Sequence, residues 1–182
     1  MVSSTTGIRE AGCADAAAIA RVSVDTWRTT YAGLVPDSVL AHMNYADRER
    51  TWAAKLCAAE PPLRAYVATA ADGSVVGFAS GGPEREANLI YTGELYALYI
   101  QAHCQRSGLG RRLVAAVAAR LRADGHRALL LWVLATNPAR GFYERLGGVY
   151  LREQPLTLGT TTLHEIAYGW PDLAALVQTL TE

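Results

Sequence analysis

Residues 94–124 constrain the fold more than any other stretch. Glu94–Ile100 reads as a strand with Leu95, Ala97 and Tyr99 opposite Tyr96, Leu98 and Ile100. Both faces are largely apolar, which suits a central strand covered on both sides. Gly108–Asp124 reads as a helix, because Leu109, Leu113, Ala116, Val117 and Leu121 fall on one stripe at helical spacing. Asp124-Gly125 stops it. Between strand and helix lies Gln105-Arg106-Ser107-Gly108-Leu109-Gly110-Arg111-Arg112. A buried strand joined to an amphipathic helix through a glycine turn commits the chain to layered α/β architecture.

The remaining segments extend this pattern. Gly7–Glu10 is a short strand, and Asp15 opens a helix through Ile19, Val22 and Trp27 that Gly33 and Pro36 break. Pro36-Asp37 begins a second helical stretch, with an interruption near Asn44, that runs to Glu60 and ends at Pro61-Pro62. Ala65–Ala70 and Val75–Ser80 flank Asp72-Gly73, a hairpin signal. Ala128–Leu134 is a buried strand, Asn137-Pro138 starts a short helix to about Leu146, Val149–Leu156 and Thr161–Tyr168 are strands, and Pro171–Leu180 is a tail helix. A length of 182 residues fits a single domain, 1–182, in the order β-α-α-β-β-β-α-β-α-β-β.

Seventeen Lys+Arg against seventeen Asp+Glu give no net field to attract nucleic acid or an anionic membrane. No apolar run reaches the length of a membrane span, and the first residues lack the basic and apolar regions of a secretory leader. Cys13, Cys57 and Cys104 are odd in number and widely spaced, which predicts no disulfide and a reduced, cytoplasmic setting. His42, His103, His126 and His164 show no metal-ligand spacing, so no metal is expected.

Charge is concentrated locally. Residues 103–127 hold six arginines against the single acid Asp124. The first turn of a helix carries unpaired N–H groups and partial positive charge, and glycine lets an anion approach the backbone. Arg106, Arg111 and Arg112 at that end are unfavourable against the helix dipole unless an anion is bound, so the segment reads as a pyrophosphate cradle. It lacks the Gly-Lys-Ser/Thr of a P-loop, and Leu113 replaces the third glycine of a dinucleotide fingerprint. A plain turn is the alternative.

Gln105-x-x-Gly108-x-Gly110 after Glu94–Ile100 resembles the acetyl-CoA signature of the GNAT N-acetyltransferase superfamily. Ala20–Tyr31, with Trp27, and Asn137-Pro-Ala-Arg-Gly-Phe-Tyr143-Glu-Arg-Leu-Gly extend the resemblance over nearly the whole chain. It implies one mixed, mostly antiparallel sheet of about seven strands, splayed between strands 4 and 5 and flanked by about four helices. It also implies acetyl-CoA as cofactor. The backbone of Leu98, Tyr99 and Ile100 would pair with the pantetheine arm, and Gln105, Arg106, Ser107, Gly108, Leu109, Gly110 and Arg111 would hold the pyrophosphate. Asn137 would touch the cofactor arm and Tyr143 the thioester sulfur. The interval from Asn137 to Tyr143 is six residues, where many members have seven.

Acetyl transfer to an amine needs a neutral nucleophile, and an alkylamine of pKa near 10.4 is almost wholly protonated at pH 7. The resemblance assigns Glu94 as general base, directly or through water, and Tyr143 as general acid for the leaving thiolate. Glu94 paired with an arginine, and Tyr143 as a packing residue, are the alternatives. Cys104 reads as a packed or merely exposed thiol. The acceptor pocket would be lined by Asp25, Trp27, Tyr31, Tyr96 and Trp132, with Arg28 and Trp52 nearby. Trp27 on the stripe of Ile19 and Val22 equally fits the core, and Glu84–Asn88 reads as a flap or a hairpin loop. The expected acceptor is a small-molecule amine. A peptide N-terminus or lysine, or a non-catalytic acyl-CoA sensor, are the alternatives, and a homodimer is the expected assembly.

Overall fold

In the computed structural model, which describes residues 7–58 and 63–182, seven strands form one sheet. They are β1 (Gly7–Glu10), β2 (Arg64–Thr69), β3 (Val75–Pro83), β4 (Gly93–Ile100), β5 (Leu129–Leu134), β6 (Val149–Leu158) and β7 (Thr161–Trp170). Their order across the sheet is β1-β2-β3-β4-β5-β7-β6. All neighbours are antiparallel except β4 and β5, which run parallel and pair only from Gly93↔Leu129 to Leu95↔Leu131. Past those residues the two strands diverge, so the sheet is splayed where the resemblance places the opening.

Helices cover both faces. α1 (Ala16–Thr30) and α3 (Tyr45–Leu56) pack on one face, where Ile19, Val22 and Trp52 meet Val67 and Phe78. α4 (Leu109–Ala123) and α6 (Leu173–Thr181) cover the other, where Leu113, Val117 and Leu121 join Leu131, Leu173 and Leu176. Two six-residue helices, α2 (Asp37–His42) and α5 (Arg140–Arg145), complete the α-helices among the described residues. The helical stretch after Pro36 is interrupted as expected: Met43 and Asn44 are extended, and the Asn44 side chain caps α3 by accepting from the Asp47 N–H. Its expected end at Glu60-Pro61-Pro62 lies outside the described residues, and α3 itself ends at Leu56. At the β2–β3 hairpin Gly73 has φ +83° and Asp72 accepts from the Ser74 N–H, as Asp-Gly predicts.

One expectation is overturned. Cys13 and Cys57 form a disulfide, with Cα atoms 4.8 Å apart. Spacing along the chain conceals the pair, because α1 and α3 pack together and bring the start of one beside the end of the other. Only Cys104 is free, and burial pushes its thiol up.

Candidate active site

Beyond Leu95, β4 keeps β3 on one side, through Ala97↔Ser80, Leu98↔Ala79, Tyr99↔Phe78 and Ile100↔Gly77, and leaves its other edge unpaired with β5. The register with β3 shifts between Ser80 and Gly81, which makes Tyr96 the extra residue of a β-bulge at the point where the sheet opens. The gap is a cleft of about 450 Å³. Leu98, Tyr99 and Ile100 line it along β4, Trp132 and Val133 along β5, and Asn137 and Tyr143 close its far side.

The cleft ends at the glycine turn. Gly108 has φ +82° and Arg106 φ +60°, so two left-handed residues flank Ser107 and bend the backbone into a concave nest before α4 begins at Leu109. Gly110 packs closely, since a Cβ there would lie 3.1 Å from the Phe142 ring, tighter than an ordinary contact. That contact seats the start of α4 against α5. Gln105, Arg106, Gly108, Gly110 and Arg111 line the cleft, whereas Ser107 and Leu109 do not. The Ser107 hydroxyl donates to the Cys104 carbonyl, and Leu109 is in the core. Arg111 directs its guanidinium away, donating to the Thr179 and Leu180 carbonyls at the end of α6. Arg145, which sequence reasoning missed, lines the cleft instead. Its spacing of three from Phe142 is the signal that places both on one face of a helix.

Asn137 is buried and fully engaged. Its Oδ1 accepts from the Ala139 N–H at 2.8 Å, and its Nδ2 donates to the Tyr31 hydroxyl at 3.2 Å. It therefore spans from α1 to the segment leading into α5. Tyr143 is buried in the cleft wall with its ring against Phe142, and burial pushes its hydroxyl well above the usual phenol value. Burial raises Tyr31 and Tyr99 in the same direction.

The acceptor residues divide. Tyr31, Tyr96 and Trp132 line the cleft. Trp27 does not; its Nε1 donates to the Tyr99 hydroxyl at 2.9 Å, and its ring lies 4.5 Å from that of Tyr31. Asp25 borders a separate recess with Thr29 and His103 and accepts from the Tyr45 hydroxyl. Arg28 ties α1 to the Met43 carbonyl, and Trp52 is core, edge-on to Phe78. Trp132 is covered by the Arg152 guanidinium, 4.9 Å from the ring centroid. Glu94 is 1% exposed and does not line the cleft. It accepts from the Arg85 side chain and, at 3.2 Å, from the Arg85 N–H. Arg85 also lies over the Tyr96 ring. The loop after β3 is built from its own side chains, with Glu84 accepting from the Asn88 N–H and Asn88 from the Tyr91 N–H. Glu86 of this loop pairs with Arg152 of β6 and accepts from Gln154, which bridges to Glu165.

Among the described residues no group of three or more His, Cys, Asp or Glu is placed to hold a metal ion, and no helix is long and apolar enough to cross a membrane.

Comparison with known proteins agrees with this architecture. Residues 75–155, from β3 into β6, match the FR47-like protein family. The chain is 38% identical over 169 residues to the uncharacterized N-acetyltransferase YuaI of Bacillus subtilis (strain 168), covering 93% of this chain and 95% of that protein. Two solved structures share the fold. The PaiA N-acetyltransferase of Thermoplasma acidophilum in complex with coenzyme A has a TM-score of 0.70 at 18% identity, over 87% of this chain and 96% of that one. YncA of Salmonella typhimurium with its cofactor acetyl-CoA has a TM-score of 0.70 at 23% identity, over 94% and 95%. The splayed sheet, the glycine turn and a full-length relative at this identity agree: the chain belongs to the GNAT superfamily of N-acetyltransferases.

Proposed function

We propose that the protein transfers the acetyl group of acetyl-CoA to the primary amine of a small molecule. The observation that carries the donor assignment is the open β4 edge ending at a nest formed by Arg106 and Gly108. An extended arm with amide groups fits beside Leu98–Ile100 as an added strand, and a pyrophosphate fits the N–H groups at the start of α4. Arg106 and Arg145 supply the charge to neutralise it. When bound, acetyl-CoA supplies an activated acyl group on a thiol leaving group.

In this reading Tyr143 gives its proton to the departing sulfur. An ordinary phenol is already protonated at neutral pH, and burial holds the Tyr143 proton more firmly until charge develops on the sulfur beside it. Glu94 is the proton acceptor for the amine and works through an intervening water, since its side chain lies behind the cleft wall. Support for this role is that Glu94 stands next but one to Tyr96, a lining residue, and that both contact Arg85.

A small acceptor fits the roof on this side. Glu86–Arg152 and Gln154 fasten the β3–β4 loop to the β6–β7 hairpin across Trp132. An extended peptide would have to displace those contacts.

Thermal-shift titration tests the donor. Acetyl-CoA at 100 times its Kd is expected to stabilise the fold by about 2.7 kcal/mol, with ATP and NAD inert. Amines are then screened by thiol release. A folded sample indifferent to millimolar acetyl-CoA would remove the assignment.

A further inference from the structure

Not every group on the open edge of β4 is free. Hydrogen bonding between antiparallel strands alternates, so successive residues turn their N–H and C=O groups to opposite sides. The phase is fixed just past the strand, where the Gln101 N–H donates to the Val76 carbonyl at 2.9 Å. Gln101 therefore faces β3, and so do Tyr99, opposite Phe78, and Ala97, opposite Ser80. Leu98 and Ile100 turn their groups the other way, to the edge that β5 leaves unpaired.

One of the groups these two residues present is taken. After β4 a short helical turn, Ala102–Cys104, doubles the chain back, and the Gln105 N–H donates to the Ala102 carbonyl at 3.3 Å. The Gln105 side chain then reaches the end of the strand the chain has just left. Its Nε2 donates to the Ile100 carbonyl at 3.0 Å. A carbonyl oxygen can only accept, which fixes the orientation of the Gln105 amide. What stays open, in order toward the glycine turn, is the Leu98 N–H, the Leu98 carbonyl and the Ile100 N–H.

We propose that Gln105 is a positioning residue that sets how far the donor's arm runs along β4, and with it where the thioester comes to rest. The proposal rests on the acetyl-CoA reading above. Counted from the sulfur, the pantetheine arm holds two amides in series, each an N–H followed by a carbonyl. The open groups of the edge match its first carbonyl, second N–H and second carbonyl in turn. That leaves the sulfur on the Tyr96 side, where the sheet opens. An arm moved by one repeat of the strand pattern, about 7 Å toward the glycine turn, would set its first carbonyl on the Ile100 N–H and its second N–H on the Ile100 carbonyl. Gln105 already holds that carbonyl, so the moved arm loses a bond. One register is favoured. In this role Gln105 acts on the strand, a different task from the phosphate contact that its place in the glycine turn suggests.

The test needs no acceptor. Its probe is S-acetylpantetheine, which carries the arm and the thioester but no phosphate, with acetyl-CoA in parallel. Backbone amide NMR spectra of the intact protein are followed as each is added to millimolar concentration. In the wild-type chain both probes are expected to move the Leu98 and Ile100 N–H signals downfield, as new hydrogen bonds do. Gln105 is exposed, so Gln105→Ala leaves the core untouched. In that variant the phosphate-free probe is expected to lose most of the Leu98 shift and keep that of Ile100, because the arm slides. Acetyl-CoA, anchored at the nest, is expected to keep both. An unchanged pattern with the phosphate-free probe overturns the proposal. So does a variant that weakens acetyl-CoA binding alone, which would make Gln105 a phosphate ligand. So does a wild-type chain that takes acetyl-CoA but gives no Leu98 response to the phosphate-free probe. Failure of the wild-type chain to bind acetyl-CoA overturns the donor reading itself.

Discussion

Arg85 grips Glu94 with side chain and main chain together: its Nε lies 3.1 and 3.0 Å from the two carboxylate oxygens and its own N–H lies 3.2 Å from one of them. The partners differ sharply in environment, with side-chain exposures of 62% for Arg85 and 2% for Glu94. Removing the arginine strands a buried carboxylate, whereas removing the carboxylate frees a solvated arginine.

The two variants are therefore expected to be non-additive. Arg85→Ala should cost about 2 kcal/mol, reduced from the fully buried case by solvent around the guanidinium. Adding Glu94→Gln to it should recover part of that loss, read as a double-mutant cycle in urea. In turnover, Glu94→Gln should lower kcat at least tenfold with acetyl-CoA affinity unchanged. Full turnover would leave Glu94 a structural partner of Arg85.

Arg106 occupies a left-handed conformation that costs a non-glycine residue about 1–2 kcal/mol. Arg106→Gly relieves this and adds flexibility to the unfolded chain, so calorimetry should show stability within about 1 kcal/mol of wild type. Isothermal titration should show weaker acetyl-CoA binding and a shallower salt dependence. Weaker folding with undiminished affinity would contradict the cradle.

The Cys13–Cys57 bridge has a sequence separation of 44. Closing a loop of that size in the unfolded chain corresponds to about 4 kcal/mol. Reduction should lower Tm by several degrees, and thiol titration of the folded, unreduced protein should find one reactive group per chain, Cys104. Three thiols without reductant would remove the bridge.

Tyr143→Phe should lower kcat while leaving acetyl-CoA affinity within a few fold. It should also alter alkaline stability. Burial raises the folded-state pKa of Tyr143 above its unfolded value of about 10, so its contribution is complete below that pH and is lost as pH rises toward the folded value. Above about pH 10 wild-type stability should fall more steeply than that of the variant, measured by urea titration at each pH.

The strands and the glycine turn were legible because each leaves a local trace, apolar runs bounded by turn residues and glycine between strand and helix, while the splayed sheet and its cleft came only from the family resemblance. What escaped was long-range. Trp27 has a helical-stripe spacing that fits the core, and only the fold shows its indole reaching Tyr99, 72 residues away. Cys13 and Cys57 are unremarkable until α1 and α3 pack together. Arg111 fits a phosphate ligand by position, yet the end of α6 offers its guanidinium two carbonyls. Glu94 was identified as an acid of interest, but neither of its readings specified that Arg85 would be its partner.

The three-residue pairing of β4 with β5 works as a fulcrum. On one side of it the strands β1–β4 carry the open edge and Tyr99; on the other β5–β7 carry Trp132. The Asn137–Tyr31 hydrogen bond is a strut thrown across the open end between these two half-sheets. The aperture is fixed at both ends, by the fulcrum and by the strut. A change that lengthened the pairing past Leu95 and Leu131 would zip the half-sheets together and shut the cleft, with β5 taking the β4 edge that the donor's arm would otherwise occupy.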